Sequence, residues 1–288
     1  MSTMVDVRPG YRRRLGSLGW HLLTLAIAAV VLYPGLWMLL SAFKPTNQIV
    51  GSVNLVPVNP TLDNFRTALD GIAGVSFWRF FGNSMLLAVG SVIGTVFSAS
   101  ITAYAFARID FPGRRIWFAL MIGTLLLPFH VVIIPQYIVF NQLGLVDTMV
   151  PLLIGKFLAA EAFFVFLMVQ FMRGLPRELD EAAFLDGAGH LRIFTSITLP
   201  LMKPVLATSS IFAFIWSWND FFGPLLYLKN SDLYPLPVAL RLFVDQTSTS
   251  DYGAQMAMAV LALAPVIIFF LVFQRYLIGG VATTGLKG

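Results

Sequence analysis

Glu181-Ala182-Ala183-Phe184-Leu185-Asp186-Gly187, followed after nine residues by Ile197-Thr198-Leu199-Pro200, is a polar element set between two strongly apolar segments. Pro176 suits the first turn of a helix, and Glu178, Asp180 and Glu181 put carboxylates at the end where the helix dipole favours negative charge. A short helix is therefore predicted to run to about Asp186. Gly187 and Gly189 supply the left-handed or close-approach backbone that ends it, and a second short helix from about His190 to Thr198 stops before Pro200. The product is a helix, turn, helix over residues 174–200. Ala182 and Ala183 leave a low-relief patch on which another protein can sit closely, with Glu181 able to meet a basic group at its rim. The alternative is an ordinary amphipathic loop helix lying on a membrane, with which Leu179, Phe184 and Leu185 are compatible.

The rest of the chain makes the bilayer its main solvent. Of 288 residues, 58% are hydrophobic and 11% charged, an apolar balance far from that of soluble domains. A spanning helix needs about 20 mostly apolar residues. No charge falls between Arg14 and Lys44, Arg79 and Arg108, Arg115 and Asp147, or Asp251 and Arg275, which predicts four spans. A fifth candidate, about Val150 to Met172, contains Lys156 and Glu161, and a sixth, about Pro204 to Leu228, contains Asp220. The predicted fold class is an all-α membrane protein of six transmembrane helices with a cytoplasmic helix-turn-helix loop.

Basic residues orient these spans. Thirteen of the nineteen Lys and Arg residues fall in the two termini and the loops that carry Arg108 to Arg115 and Arg173 to Lys203, and five fall in the opposite loops. Lys and Arg accumulate on the cytoplasmic side, so both termini are expected there. The net charge of +5 then lies beside the inner leaflet rather than in a nucleic-acid stripe. Leu15 to Phe43, 29 uncharged residues interrupted by Tyr33-Pro34, is longer than a signal h-region and reads as a retained helix. No cysteine is present, so thiolate metal sites and disulfides do not arise.

Residues 1–15 form a basic amino-terminal stretch and 16–288 a single membrane domain. The loop from Lys44 to about Phe80 carries Pro45, Pro57 and Pro60 and predicts irregular structure with a short helix near Asp63 to Leu69. The loop from Lys229 to Gly253 carries Pro235, Pro237 and a polar run from Gln246 to Asp251, suited to an extracytoplasmic contact.

Glu-Ala-Ala, three residues, Gly, nine residues, Ile-x-Leu-Pro resembles the coupling loop of permease subunits of ABC importers, and Glu181 to Pro200 matches every specified position. Phe171 to Leu179 leading into the motif, Trp218-Asn219-Asp220-Phe221-Phe222, Asn83-Ser84, Gly144-Leu145 and the terminal Thr283 to Gly288 are similar to the shorter six-helix permease of maltose-type sugar importers. The resemblance implies the type I importer permease fold in a bacterial or archaeal plasma (inner) membrane. It implies a second permease subunit, two cytoplasmic ATPase subunits that use ATP and Mg, and an extracytoplasmic substrate-binding protein. Glu181, Ala182, Ala183, Asp186 and Gly187, with Ile197, Leu199 and Pro200, would form the ATPase-coupling element, and the tail from Thr283 would add a contact. Trp218, Asn219, Asp220 and Phe221 would lie on the substrate path. The chain itself carries no Gly-x4-Gly-Lys-Ser/Thr loop; Gly280 to Gly285 continues with Leu286. It is therefore expected to transmit motion between inward-facing and outward-facing states, hydrolysing nothing and holding no cofactor.

A second reading takes Glu161 and Asp220 as proton carriers of a secondary transporter with Lys156 as counter-ion, because charges within spans cost about 2.5–3.5 kcal/mol and face a pathway or partner. Helix-packing polar groups are the plainer account of all three. His21, His130 and His190 have no carboxylate company and suggest packing rather than a metal site. Pro128 and Pro135 should kink the third span. Trp216, Trp218, Phe221, Phe222 and Tyr227 concentrate near one end of the Pro204-to-Leu228 span, where they suit either sugar stacking or an interfacial belt. No nucleophile, base and orienting group form a recognisable set for an intramembrane enzyme.

Overall fold

The computed structural model describes residues 10–49, 54–244 and 250–282. The first nine residues of the basic terminus, residues 50–53, residues 245–249, which include all but the last two of the polar run Gln246 to Asp251, and the tail from Thr283 lie outside the described residues. In chain order the helices are α1 (Gly10–Ser41), α2 (Asp63–Asp70), α3 (Phe77–Arg108), α4 (Arg114–Thr124), α5 (Phe129–Gln142), α6 (Val150–Phe157) and α7 (Ala162–Arg173). They continue with α8 (Glu178–Leu185), α9 (His190–Ile193), α10 (Leu199–Leu201), α11 (Lys203–Trp218), α12 (Phe222–Tyr227), α13 (Leu236–Leu242) and α14 (Tyr252–Ala282). An isolated bridge between Ile72 and Val75 stands in for strand structure among the described residues.

Four helices among the described residues are long and apolar enough to cross a membrane, namely Trp20–Ser41, Phe77–Arg108, Val150–Arg173 and Tyr252–Phe273. A fifth arises if His190–Leu201 and Lys203–Trp218, bent by 76° at their junction, count as one span. The third predicted span is instead divided into α4, of 11 residues, and α5, of 14. Pro128 is the reason: it takes extended backbone at the N-cap of α5, where its missing N–H is harmless. Pro135 lies inside α5 without interrupting it. The span from Val150 to Arg173 is also broken, at Leu158 to Glu161, where Ala159 takes a φ of +53°.

Helix α3 is the spine. It packs on α6, α7 and α11, and α14 closes the other side against α11, α2 and α1. In lipid, close packing depends on small residues rather than on a hydrophobic drive. The buried face of α3 accordingly runs Ser84, Ala88, Ser91, Gly94, Thr95, Ser98, Ala99 and Ala103. One apolar cluster, containing Ala103, Phe164, Met168, Met172, Ile193 and Met202, lies at the end that carries α8. A second, with Phe77, Phe80, Phe214, Trp218, Leu236 and Met258, lies at the opposite end. Phe214 stacks on Phe269 at 4.1 Å and 7°, joining α11 to α14.

Gly94 marks a close crossing of α3 with the end of α6. A Cβ there would lie 2.8 Å from the Phe157 ring and 3.1 Å from the Lys156 backbone carbon, whereas at Gly90 it would meet only the flexible end of Leu153, at 3.0 Å. Gly94→Ala is expected to destabilise the detergent-solubilised chain by about 1–3 kcal/mol and Gly90→Ala by distinctly less. Thermal unfolding of the two variants side by side checks the difference.

The segments between the long helices lock onto the bundle through two buried amides and one carboxylate. Asn64 donates to the carbonyls of Ala42 and Lys44 at 2.8 and 2.7 Å, satisfying the end of α1. Asn83 donates to the carbonyls of Asp232 and Tyr234, and Ser84 Oγ accepts from the Leu236 N–H at 2.8 Å. Asp147, at φ +66°, accepts at Oδ1 from the N–H groups of Lys229 and Asn230 at 2.8 and 2.9 Å. Those donors, Asn230 foremost and then Lys229, hold its carboxyl below the usual carboxylate range. A group with a depressed folded value stabilises above its unfolded value and loses that contribution as pH falls through the folded one. Stability should therefore drop as pH falls below about 4, and Asp147→Asn should flatten that part of a pH–melting profile.

Candidate functional site

The Glu181-to-Pro200 motif folds as its acidic first turn and its glycine suggest. Helix α8 carries Glu178, Asp180 and Glu181 in its first turn and ends where Gly187 takes φ +79°. The Gly187 and Ala188 N–H groups close the turn on the carbonyls of Phe184 and Ala183, at 3.0 and 2.9 Å. Gly189 has ordinary φ, so Gly187 alone supplies the left-handed position. The second helix does not stop before Pro200. It runs from His190 through a π-helical turn, Phe194–Thr198, to Leu201, and only then bends. The wider turn is what lets the helix pass Pro200, whose missing donor would otherwise leave an ordinary ladder broken.

Beneath this element lies a rigid foundation. Asp180 is buried and pairs with Arg108 at the end of α3, Nε to Oδ2 2.9 Å; the Nε–H does not point along that line, so the contact is ionic rather than a directed hydrogen bond. Arg108 Nη2 donates to the Leu175 carbonyl at 3.1 Å. His190, exposed, lies edge-on to Phe184 and Tyr104 with centroids at 5.0 and 6.3 Å, and its Nδ1 shares a hydrogen bond with the Tyr104 hydroxyl at 3.4 Å. Ala183, Ile193 and Thr198 are buried, Ile197 and Leu199 half-buried. Glu181, Ala182, Asp186, Gly187 and Pro200 remain exposed, beside Leu185 at 90% and Leu191 at 77%. The motif is thus divided between a face that holds and a face that is offered. An apolar, low-relief surface with an acidic rim is built to receive another protein.

The three charges predicted within spans meet at a second place. Lys156 and Glu161 form an ion pair across the α6–α7 break, and Thr95 Oγ1 donates to Glu161 Oε2 at 3.3 Å. Ser98 Oγ donates to the Lys156 carbonyl at 2.6 Å. Asp220 sits at the other break, between α11 and α12, where its Oδ1 accepts from the Gly223 N–H at 3.1 Å. All three line one cavity of about 480 Å³, with Gln136, Trp216 and Tyr227. Irregular backbone at membrane depth is tolerated where it lines a cavity, and both breaks do so here. The predicted path residues are split. Asp220 faces that cavity, whereas Trp218 and Asn219 border a separate apolar one of about 220 Å³. Trp218 is itself buried and donates to the Ala262 carbonyl at 3.1 Å; Phe221 is at the edge of exposure.

Arg108 and Gln136 carry no local sequence signal for these roles. Trp216 and Tyr227 do, as members of the aromatic concentration around the end of α11.

Residues 94–282 match the family described as "Binding-protein-dependent transport system inner membrane component". The chain belongs to that family. Among similar proteins, the arabinooligosaccharides transport system permease protein AraQ of Halalkalibacterium halodurans is 35% identical over 91% of this chain and 93% of its own. The diacetylchitobiose uptake system permease protein NgcG of Streptomyces coelicolor is 32% identical over 91% and 86%. The sn-glycerol-3-phosphate transport system permease protein UgpE of Brucella abortus is 30% identical over 98% and 99%. A bacterial ABC transporter involved in the import of the acidic polysaccharide alginate, known from a crystal structure, superposes with a TM-score of 0.81 at 25% identity, covering 93% of this chain and 99% of its own.

As an inner membrane component of a binding-protein-dependent ABC importer, this permease is a transport subunit and not an enzyme, working beside an ATPase and a binding protein. Its all-α architecture with several spans is that of the importer permease fold. The family is ATP-driven, which leaves the proton-carrier account of Glu161 and Asp220 without support.

Proposed function

We propose that this permease serves a carbohydrate importer, pairing with a second permease and docking its α8-to-α9 turn into one of two ATPase subunits. The observation that carries the reading is the division of the motif, in which Glu181, Ala182, Asp186 and Gly187 are offered while Asp180, Ala183, Ile193 and Thr198 are held. A surface so fixed moves as a body with α3 and α11, and ATP-driven closure of the ATPase pair shifts the bundle between inward-facing and outward-facing states. ATP and Mg belong to the ATPase, and both termini of this chain lie on its side of the membrane. The residue 229–253 loop faces the binding protein, and the substrate path passes Trp218, Asn219, Asp220 and Phe221. Residues 16–288 act as one permease domain. The cargo class is a short oligosaccharide, the chemistry in the names of the AraQ and NgcG relatives and of the galactooligosaccharides transport system permease protein GanQ of Bacillus subtilis.

Purification of the chain from its host in mild detergent tests this. Recovery of an ATPase and a second permease, with ATP-dependent uptake of arabinobiose, diacetylchitobiose or galactobiose by vesicles holding the complex and its binding protein, is the expected result. Recovery of the chain alone, with uptake driven by a proton gradient, overturns it.

A further inference from the structure

We propose that the cavity between α5, α6, α11 and α12 is a binding subsite for an uncharged saccharide, with the Trp216 indole as its stacking surface and Asp220, Gln136 and Tyr227 as partners for sugar hydroxyls. The subsite rests on the carbohydrate-importer reading and adds a bound position within this subunit's own helices.

Three independent features converge there. The first is shape: about 480 Å³ lies in the lower part of the about 300–1,000 Å³ range of small-molecule sites, enough for a short saccharide segment. The apolar cavity beside Trp218, at about 220 Å³, falls below that range.

The second is the inventory of side chains. Trp216 is held by Phe163 and Phe164 at 5.2 and 5.3 Å between centroids, yet 47% of it stays exposed, a fixed aromatic surface of the kind that sugar rings cover. Tyr227 is 3% exposed and its hydroxyl makes no hydrogen bond within the chain, a cost that a buried polar group normally avoids. Asp220 accepts from the backbone N–H groups of Gly223, at Oδ1, and Phe222, and a carboxylate has about four acceptor positions, so it retains capacity for hydroxyl donors.

The third is charge. Lys156 is committed to Glu161, which Thr95 also holds, so that pair is neutral as a unit and Asp220 is the cavity's remaining acidic side chain, with no cation of its own among the described residues. A uronate or phosphorylated sugar would bring like charge to a poorly solvated site, whereas a neutral sugar finds acceptors and donors without that penalty.

The test uses vesicles carrying the whole importer with saturating binding protein, and tritiated arabinobiose, diacetylchitobiose and galactobiose as probes. For the probe that wild type carries, Trp216→Ala and Asp220→Asn are each expected to lower uptake about tenfold in complexes that still co-purify with the ATPase. Trp216→Phe should restore most of the loss. Tyr227→Phe, which removes only the hydroxyl, gives a second reading should either variant fail to assemble. Digalacturonate should compete poorly with wild-type uptake and better with Asp220→Asn. Assembled Trp216→Ala and Tyr227→Phe importers that match wild type within twofold would overturn the subsite and leave the importer reading intact. Wild-type vesicles that carry none of the three probes would strike down the carbohydrate reading itself, and the subsite with it.

Discussion

Gly187→Trp is expected to leave the permease folded and paired with its second permease while cutting recovery of the ATPase at least about tenfold, the equivalent of about 1.4 kcal/mol of docking free energy. Two facts separate the fold from the docking. A Cβ at residue 187 meets nothing within 4 Å, so an indole has room to project away from the chain. The φ of +79° does impose strain on any L side chain, about 1–2 kcal/mol, but that strain is shared by Gly187→Ala. Alanine therefore serves as the control. It carries the backbone cost without the bulk, and its complex should retain most of the ATPase. Co-purification from detergent with all three chains side by side makes the comparison. Wild-type recovery with tryptophan at 187 would mean that the turn is not the docked face.

Arg108→Ala should produce the other large effect, by a different route. The Arg108 and Asp180 side chains are 6% and 13% exposed, so removal of the guanidinium strands a carboxylate at the base of α8. Loss of one member of a buried pair costs about 3–5 kcal/mol, and the low end applies because Asp180 keeps some contact with solvent. The Leu175 carbonyl loses its donor as well. The melting temperature in detergent should fall, and ATP-dependent uptake should fall further than ATPase recovery does, because the exposed face survives while its foundation loosens. Adding Asp180→Asn should recover much of the stability by removing the stranded charge. Unchanged melting and uptake in Arg108→Ala would show that α8 is held by its apolar contacts alone.

How far the sequence discloses such features depends on whether their cause is local. The α8 helix and its turn are legible because acidic residues, Pro176 and Gly187 act within a few positions of one another. The division at Pro128 is legible for the same reason, although as a kink rather than a full break. The break at Leu158 to Glu161 has no local signal, since Ala159 and Ala160 are good helix formers. It is set by contacts from Thr95 and Ser98 on α3 and by the pairing of Lys156 with Glu161. Pro200 misleads for a complementary reason: proline predicts a stop, and a π-helical turn two residues earlier absorbs it. The gathering of Gln136, Lys156, Glu161, Trp216, Asp220 and Tyr227 in one cavity follows from helix crossings that single-chain periodicity does not encode. Trp218 and Trp216 are two residues apart in a helix and so point to different sides, one into the core and the other toward the cavity.

The 76° bend beside Met202 makes the motif helix and α11 a bell crank. One arm, His190–Leu201, is about 18 Å long and the other, Lys203–Trp218, about 24 Å, at 1.5 Å per residue. Met202 itself is fully buried, as a fulcrum must be. Were the pair to turn about that point, the longer arm would amplify a displacement of the turn by about one third and redirect it nearly at right angles, toward the Asn219–Phe221 break and the carboxylate of Asp220. The gearing of the machine is thus set by two helix lengths and one angle, all within about thirty residues.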